Sequence, residues 1–171
     1  MTTIYKGRVV EFNLEEARLP NGRTVQLEIL RHPGASAIVP LREDGQVVMI
    51  RQYRHAAGGM IHEIPAGRLD PGEAPLDCAR RELAEEVGQE ASQWVRLGAV
   101  WTTPGFTDER IHFFLARHLT PVGQALEHDE VIEVVNRPLE EAVAMIRRGE
   151  IEDAKTICAL MLAYFHVRGE A

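Results

Sequence analysis

Three glutamates in the segment 67–88 have the residue type and the spacing of a cation-binding face. If residues 75–87 form a helix, Glu82 and Glu86 lie one turn apart on the same face, and Glu85 lies about 60° from Glu82 on its other side. Like charges so close repel one another unless a cation neutralises them. Carboxylate oxygens are hard ligands that suit Mg²⁺ or Mn²⁺ rather than zinc. A solvated acidic face without a ligand is the alternative interpretation.

The helix that carries these glutamates is the clearest element of the sequence. Pro75 suits the first helical position, and an apolar stripe recurs on one face until Gly88, which predicts the end of the helix. The stripe consists of Leu76, Ala79, Leu83 and Val87. The glutamates occupy the neighbouring arc, so we expect them at the edge of the buried face.

The wider segment 67–89 follows the pattern G-x5-E-x7-R-E-U-x-E-E-x-G-U, in which U is a bulky aliphatic residue. The matching residues are Gly67, Glu73, Arg81, Glu82, Leu83, Glu85, Glu86 and Gly88. This segment resembles the box of the Nudix hydrolases, and it departs from that box at Gln89, where the family has an aliphatic residue. We expect Gly67 to permit a tight turn, Glu73 to tie the loop to the helix start, and Arg81 to pair with Glu85.

The resemblance implies an enzyme that hydrolyses a nucleoside diphosphate linked to another group and uses Mg²⁺ or Mn²⁺. It implies that Glu82 and Glu86 are the principal metal ligands, with the carbonyl of Ala66 as an additional oxygen ligand. Glu85 is then a further metal ligand or a catalytic group that orients water. The implied fold is an α/β/α sandwich around a mixed sheet.

The segment 103–109, with the sequence TPGFTDE, places Pro104 fifteen residues after Gln89. It resembles a segment of the ADP-ribose pyrophosphatases, in which a proline at about this distance marks the subfamily. The resemblance implies that Glu109 accepts hydrogen bonds from the terminal ribose of the substrate. Taken alone, Pro-Gly predicts only a turn.

Two arginines, one in and one directly after the predicted strand at residues 46–53, are candidate substrate ligands. They belong to an RQYR segment that resembles a segment of the same subfamily. Arg51 and Arg54 are three residues apart, so they face opposite sides of a sheet and only one readily reaches a cleft. We favour Arg54, near the strand end, because a guanidinium binds phosphate oxygens in a bidentate manner. An exposed arginine without a ligand is the alternative.

The segment 126–133, LEHDEVIE, resembles the acidic loop from which ADP-ribose pyrophosphatases supply a catalytic carboxylate. Glu130 is our first choice for contact with metal or water, and Glu127 is the second. His128 titrates near neutral pH, but a surface histidine is an equally good interpretation. The identity of the base stays open, and an acidic loop without a role is the alternative.

The helices and strands that position these residues can be predicted from the sequence pattern. Their order along the chain predicts an α+β domain with a mixed sheet. We predict strands at residues 2–14 and 24–31, joined around Asn21-Gly22 as an N-terminal β-hairpin extension. Residues 36–41 and 46–53 are predicted to form a second strand pair, with further strands at 61–64, 94–101, 111–116 and 132–135. Helices are predicted at 75–87, 138–148 and 154–168.

Residues 1–171 are expected to form a single domain, because no repeat, linker or low-complexity tract divides the chain. By resemblance, residues 1–33 contribute to a homodimer, and residues near Val25 to Glu28, including Glu28 itself, reach the adenosine pocket of the partner.

The net charge of −7 argues against a general nucleic-acid binder, which needs a basic face. A ligand that carries phosphates would need a divalent cation to bridge two sets of negative charge. The sequence contains neither a signal-peptide pattern nor an apolar run of membrane-spanning length, and its two cysteines do not form a disulfide framework. We therefore expect a cytoplasmic protein that binds neither membranes nor nucleic acid.

The expected function is hydrolysis of ADP-ribose to AMP and ribose 5-phosphate with Mg²⁺ or Mn²⁺. One alternative is the same chemistry on another nucleotide sugar, such as GDP-mannose. A second alternative is a Nudix module that senses a nucleotide without hydrolysing it, although such a sensor has no need to keep all three box glutamates.

Overall fold

A computed structural model describes residues 1–170 of the chain. Its strands are β1 (Thr2–Lys6), β2 (Glu11–Arg18), β3 (Thr24–Arg31), β4 (Ala35–Pro40), β5 (Gln46–Arg54), β6 (Gly59–Glu63), β7 (Ala66–Arg68), β8 (Gln89–Trp101), β9 (Arg110–Pro121) and β10 (Ile132–Pro138). Its helices are α1 (Pro75–Val87), α2 (Leu139–Arg147) and α3 (Ala154–Arg168), and a 3₁₀ turn spans His55–Ala57.

Two sheets lie at the centre of the domain, with helices on both sides. One sheet has the order β7-β4-β9-β8 and is mixed, because β4 and β9 run parallel, and the other has the order β10-β5-β6. The side chain of Ile38 in β4 packs with those of Ala79 and Leu83 in α1. The next residue of the strand, Val39, belongs to a cluster that includes Leu160 of α3. Successive side chains of β4 thus point to opposite faces of the sheet and pack against helices on both sides. This arrangement confirms the predicted α/β/α sandwich.

The prediction that residues 36–41 and 46–53 pair with each other is wrong. The two strands follow one another through a turn at Gly45, but apart from a single bridge between Leu41 and Val47 they belong to different sheets. A strand has only two edges, and β4 pairs with β7 and β9 while β5 pairs with β6 and β10. No edge is therefore left for a hairpin between them.

The N-terminal strands form a separate three-stranded antiparallel sheet of order β1-β2-β3. The hairpin of β2 and β3 around Asn21-Gly22 is as predicted, and Gly22 has the positive φ of 82° that such a turn requires. The single strand predicted for residues 2–14 is interrupted, because the chain turns at Gly7, whose N–H donates to the carbonyl of Val10 (2.9 Å). This turn folds β1 back onto β2 as a third strand.

The predicted helices are confirmed to within one residue at each end. The bounds of α1 and α3 match the prediction, whereas α2 begins after Pro138 and ends at Arg147. Gly88 ends α1 with a φ of 62°, and its N–H bonds back to the carbonyls of Ala84 and Leu83. Strand β7 was not predicted.

Within residues 1–170, no helix combines the length and the apolar character needed to cross a bilayer.

Candidate active site

The box glutamates line a cleft of about 470 Å³ between helix α1, the end of β5 and the loop that precedes β10. Its acidic lining residues include Glu82, Glu85, Glu86, Glu127, Asp129 and Glu130, and its basic ones include Arg8, Arg54, Arg68 and Arg81. A second cleft of about 470 Å³ is lined by Gln89, Arg42 and His118 among others, and no box glutamate reaches it. Gln89 thus borders a surface cleft, where a polar side chain is tolerated in place of an aliphatic one.

Glu82 and Glu86 are far more buried than carboxylates usually are, at 7% and 1% exposed. Burial raises the pKa of Glu82 to about 7, although the charge of Arg81 acts in the opposite direction. Burial also raises the pKa of Glu86 to about 8, against the effect of a hydrogen bond that Oε2 accepts from the N–H of Ala66 (2.8 Å). The negative charge of Glu130 adds to both increases. Desolvation of two neighbouring carboxylates is the dominant electrostatic feature of the cleft.

Gly67 lies against the carboxylate of Glu82. A Cβ atom at position 67 would be 1.8 Å from Oε1 of Glu82. The expectation that Gly67 permits a tight turn is wrong, because it lies in β7 and pairs with Ser36 of β4. The glycine is instead needed for the close approach of a side chain to the backbone.

Arg81 joins the loop before α1 to the glutamate face. Its guanidinium donates to Oε1 of Glu73 (3.0 Å), to Oε1 of Glu82 (2.6 Å), to Oε2 of Glu85 (3.1 Å) and to the carbonyl of Arg68 (3.1 Å). The expected pair between Arg81 and Glu85 is thus confirmed. Glu73 also accepts the N–H of Asp70 (2.9 Å), which ties the loop to the helix as expected.

The loop between β9 and β10 is docked onto the last turn of α1. The N–H of Ala125 donates to the carbonyl of Glu85 (3.0 Å), and Nε2 of Gln124 donates to the carbonyl of Glu86 (2.6 Å). These are helix-terminal carbonyls that would otherwise lack partners. The contacts bring the following acidic residues to the cleft.

Both candidate bases of this loop, Glu127 and Glu130, line the cleft. The carboxylate of Glu130 accepts the N–H of Glu127 (2.8 Å), which restrains the side chain that raises the pKa of Glu82 and of Glu86 through its charge. The side chain of His128 is 90% exposed, which fits the surface-histidine interpretation. Asp129, which we did not select, also lines the cleft and pairs with Arg8 (3.1 Å).

The two candidate arginines face opposite sides of β5, as alternation predicts. Arg54 lines the cleft, and its guanidinium pairs with Glu63. Arg51 does not line the cleft and pairs on the other face with Glu133 (2.9 Å). Gln52 shares the cleft face with Arg54, is 5% exposed, and its Oε1 lacks a hydrogen-bond partner within residues 1–170. The same alternation predicts from sequence that Gln52 faces the cleft with Arg54, but a neutral amide side chain is not by itself a signal of a functional site.

The remaining candidates do not line the cleft of this chain. Glu109 accepts a hydrogen bond from Oγ1 of Thr102 (2.9 Å), and its carboxylate lies 3.6 Å from Nδ1 of His32, which does line the cleft. Pro104 belongs to a loop that pairs with the end of β3 through the carbonyl of Phe106, which accepts the N–H of Leu30 (2.8 Å). His32 was missed because a single histidine beyond a strand end has no motif.

Glu28 lies on the N-terminal sheet, is exposed, and does not line the cleft either. Arg8 and Val9, which we did not select, extend from the same sheet to the cleft wall.

The donor set of the cleft fits a divalent cation. No three His, Cys, Asp or Glu side chains among residues 1–170 are already gathered into a cage. Glu86, however, is buried, and no cationic side chain pairs with it within the described chain. Arg81 pairs with Glu82, so the buried charge of Glu86 is the one that needs either a proton or a bound cation to offset it. The hard oxygens of both carboxylates favour a cation of the Mg²⁺ type.

Comparisons with known proteins identify the family and the fold that this chain resembles. Residues 30–160 match the sequence model of the NUDIX domain family. The chain is 40% identical over 159 residues to the ADP-ribose pyrophosphatase of Bacillus subtilis (strain 168), an alignment that covers 92% of this chain and 86% of the relative. It is 40% identical over 146 residues to a GDP-mannose pyrophosphatase of Citrobacter koseri, covering 80% and 74%. A crystal structure described as an ADP compounds hydrolase superposes with a TM-score of 0.83 over 99% of this chain and 94% of that chain, at 22% identity.

Proposed function

The chain belongs to the Nudix family, and we propose that it hydrolyses the diphosphate of ADP-ribose to AMP and ribose 5-phosphate. The observation that carries the proposal is the pair of buried carboxylates, Glu82 and Glu86, in a cleft that also contains Arg54. A cleft with this composition binds an anion through a guanidinium and a cation through carboxylates, which is what a metal-bound diphosphate requires. The relative from Bacillus subtilis supports ADP-ribose as the substrate.

Nudix hydrolases generally use divalent metal ions, and we propose Mg²⁺ or Mn²⁺ here. Glu82 and Glu86 would hold the cation, with Glu85 and the carbonyl of Ala66 as further oxygen ligands and Glu130 as a contributor from the loop. When bound, such a cation supplies positive charge that neutralises the diphosphate and acidifies a neighbouring water.

The residues of the chain divide the remaining work. Arg54 binds and orients the diphosphate through its free N–H groups. Glu130 or Glu127 accepts a proton from the attacking water. The oxygen of that water forms a bond to phosphorus while the bond between phosphorus and the leaving phosphate oxygen breaks. Glu85, which is held by Arg81, is a further candidate for orienting that water. Mutation of each carboxylate to glutamine distinguishes them, because loss of the base should lower kcat the most and remove the inflection of that residue from the pH-rate profile, whereas the inflections due to protonation of Glu82 and Glu86 remain in every variant.

GDP-mannose is the second candidate substrate, because a relative of similar identity is a GDP-mannose pyrophosphatase. Purified protein should be assayed with Mg²⁺ and with Mn²⁺ on ADP-ribose, GDP-mannose, NADH and diadenosine polyphosphates. We expect kcat/KM for ADP-ribose to exceed the others at least about tenfold, a difference of about 1.4 kcal/mol. A preference for GDP-mannose would replace ADP-ribose in the proposal. Nucleotide binding without turnover would support the sensing module instead.

We also propose that the protein is a homodimer formed through residues 1–33. The N-terminal sheet leaves large apolar side chains in solvent, with Ile4 54%, Tyr5 63% and Leu27 38% exposed. A three-stranded sheet is stable when one face is covered, and a second copy of this chain would cover it. In that dimer, Val25 to Glu28 contribute to the adenosine pocket of the partner. Light scattering should give twice the chain mass of 19.2 kDa, and Leu27→Lys should shift the measured mass towards that of the monomer.

A cytoplasmic location stays a prediction from the sequence.

A further inference from the structure

A cluster of buried and half-buried charges contacts Arg54 through residues that do not themselves line the cleft. Its centre is Glu63, the last residue of β6, whose side chain is 1% exposed. Glu63 pairs with Arg54 and with Lys155, and Lys155 donates in turn to Asp153 (2.9 Å). Two carboxylates and two cationic groups thus form a neutral cluster that connects β5, β6 and the start of α3.

The geometry between Glu63 and Arg54 is a bidentate fork. Nε of Arg54 donates to Oε1 of Glu63 (2.8 Å), and Nη2 donates to Oε2 (2.9 Å). A guanidinium has five N–H donors, and this fork uses one on Nε and one on Nη2. The hydrogen bonds of Arg54 within residues 1–170 leave both hydrogens of Nη1 free. Since Arg54 lines the cleft, the free edge is the one available to a phosphate.

The carboxylate of Glu63 is itself held in place by its surroundings. Burial raises the pKa of Glu63, but the hydrogen bond from Arg54 and the charge of Lys155 outweigh burial, so the pKa lies below its ordinary value and the group is ionised. Lys155 follows Asp153, which is the N-cap of α3 and accepts the N–H of Thr156 (3.0 Å). Thr156 in turn accepts the N–H of Ile64 through Oγ1 (3.0 Å). The backbone on both sides of the cluster is therefore fixed.

We propose that Glu63 is a positioning residue, which holds the guanidinium of Arg54 with its Nη1 edge presented to the diphosphate, and that Lys155 and Asp153 hold Glu63. This inference rests on the proposed function, since it assigns Arg54 to the substrate diphosphate. Nothing in the sequence pattern singles out Glu63, because it lies outside the box, and its partner Lys155 is 92 residues away.

Two effects of removing the charge of Glu63 oppose each other, which makes the test sharp. Electrostatics alone predicts that Glu63→Gln tightens the binding of an anion, because the cleft loses a negative charge. Positioning predicts weaker binding, because the freed guanidinium must be ordered again on the substrate. We expect Glu63→Gln to raise KM about tenfold, with a much smaller change in kcat. A lowered KM would overturn the proposal.

A double-mutant cycle with Arg54→Ala tests whether Glu63 acts through Arg54. We expect Glu63→Gln to have no further effect on KM in the Arg54→Ala background, because there is no guanidinium left to position. Additive effects of the two changes would overturn the proposal. The matched control is Glu133→Gln, which removes the partner of Arg51 on the opposite face of the same strand and should leave KM unchanged.

Removal of the buried charge of Glu63 leaves Lys155 without one of its partners and can destabilise the fold. A second variant therefore tests the proposal if Glu63→Gln does not fold. Glu63→Asp keeps the negative charge but shortens the side chain by one methylene group, which withdraws the carboxylate from the guanidinium of Arg54. We expect it to fold and to raise KM, whereas an unchanged KM would overturn the proposal. The cycle is measured on whichever nucleotide sugar the wild-type protein hydrolyses, since all contain a diphosphate. A wild type that hydrolyses none would overturn the proposed function alone, and the same cycle measured as the Kd for ADP with Mg²⁺ would then decide the role of Glu63.

Discussion

A Cβ atom at position 67 would lie 1.8 Å from Oε1 of Glu82, so the carboxylate of Glu82 occupies the space that a side chain in place of Gly67 would need. Glu82 is buried at 7% exposure, and the backbone of β7 forms the wall against which it rests. The carboxylate is at the end of a flexible side chain and can move, whereas the backbone of β7 is held by its pairing with β4. A larger residue at position 67 would therefore move Glu82 rather than the strand.

Gly67→Ala should displace the carboxylate of Glu82 and lower activity while the protein remains folded. We expect kcat/KM to fall about a hundredfold or more, equivalent to about 3 kcal/mol in the barrier. The matched control is Gly59→Ala, because a Cβ there meets no atom within 4 Å. Activity assays combined with thermal unfolding of both variants separate displacement from misfolding. A fully active Gly67→Ala protein would contradict the role of Glu82 as a cation ligand.

Glu86→Gln should remove most turnover without loss of fold, because it deletes a ligand charge and no core volume. We expect a decrease of about a hundredfold or more in kcat/KM with Mg²⁺, again about 3 kcal/mol. Titration calorimetry with Mn²⁺ should show weaker binding in the same variant. Normal turnover and normal Mn²⁺ affinity would exclude Glu86 from the cation site.

The pH dependence of stability provides an independent test of the buried carboxylates. Burial raises the pKa of Glu82 to about 7 and that of Glu86 to about 8 from an ordinary value of 4.5. The native state then binds more protons than the unfolded state, so this contribution to stability is complete below about pH 4.5 and is lost as the pH rises to about 8. A cation that replaces these protons should raise Tm more at pH 8.5 than at pH 6.

Calorimetric scans with EDTA or Mg²⁺ at the two pH values measure this difference. The Glu86→Gln variant, which lacks one of the two groups, should show a smaller dependence on pH. An increase in Tm that is equal at both pH values would be evidence against a cation that competes with protons for these carboxylates.

The sequence predicts the bounds of helix α1 because the signals for them are local. Pro75, the apolar stripe and Gly88 act within a few residues of one another, and the bounds of α1 follow from them. The pairing of β4 was mispredicted because it depends on β9, whose partner residues are 76 positions away in the chain, as Ala35 is from Ile111. The contact between Glu63 and Lys155 spans 92 residues and has no motif. Interactions between distant segments, rather than local propensity, decide these features.

Arg54→Ala should raise KM and make binding less sensitive to salt, because it removes the cationic contact that we propose with the diphosphate. Arg51→Ala is the matched control on the other face of β5, where the guanidinium pairs with Glu133. Steady-state kinetics at several NaCl concentrations distinguish the two variants. If Arg51→Ala proves the more damaging change, the assignment of Arg54 to the phosphates is wrong.

Glu109 should control the preference for ADP-ribose more than the rate on poorer substrates. Its carboxylate bonds to Thr102 and lies beside His32 at the cleft wall, so a terminal ribose that enters there exchanges one hydrogen-bond partner for another. A leaving group without suitable hydroxyls cannot offer that exchange, and an imperfectly paired polar group costs about 1–3 kcal/mol. Glu109→Ala should therefore reduce kcat/KM for ADP-ribose about tenfold or more and change that for GDP-mannose much less. Glu109→Gln, which still accepts a hydrogen bond from a hydroxyl, should retain part of the preference, whereas an equal loss on both substrates in both variants would place Glu109 outside the ribose subsite.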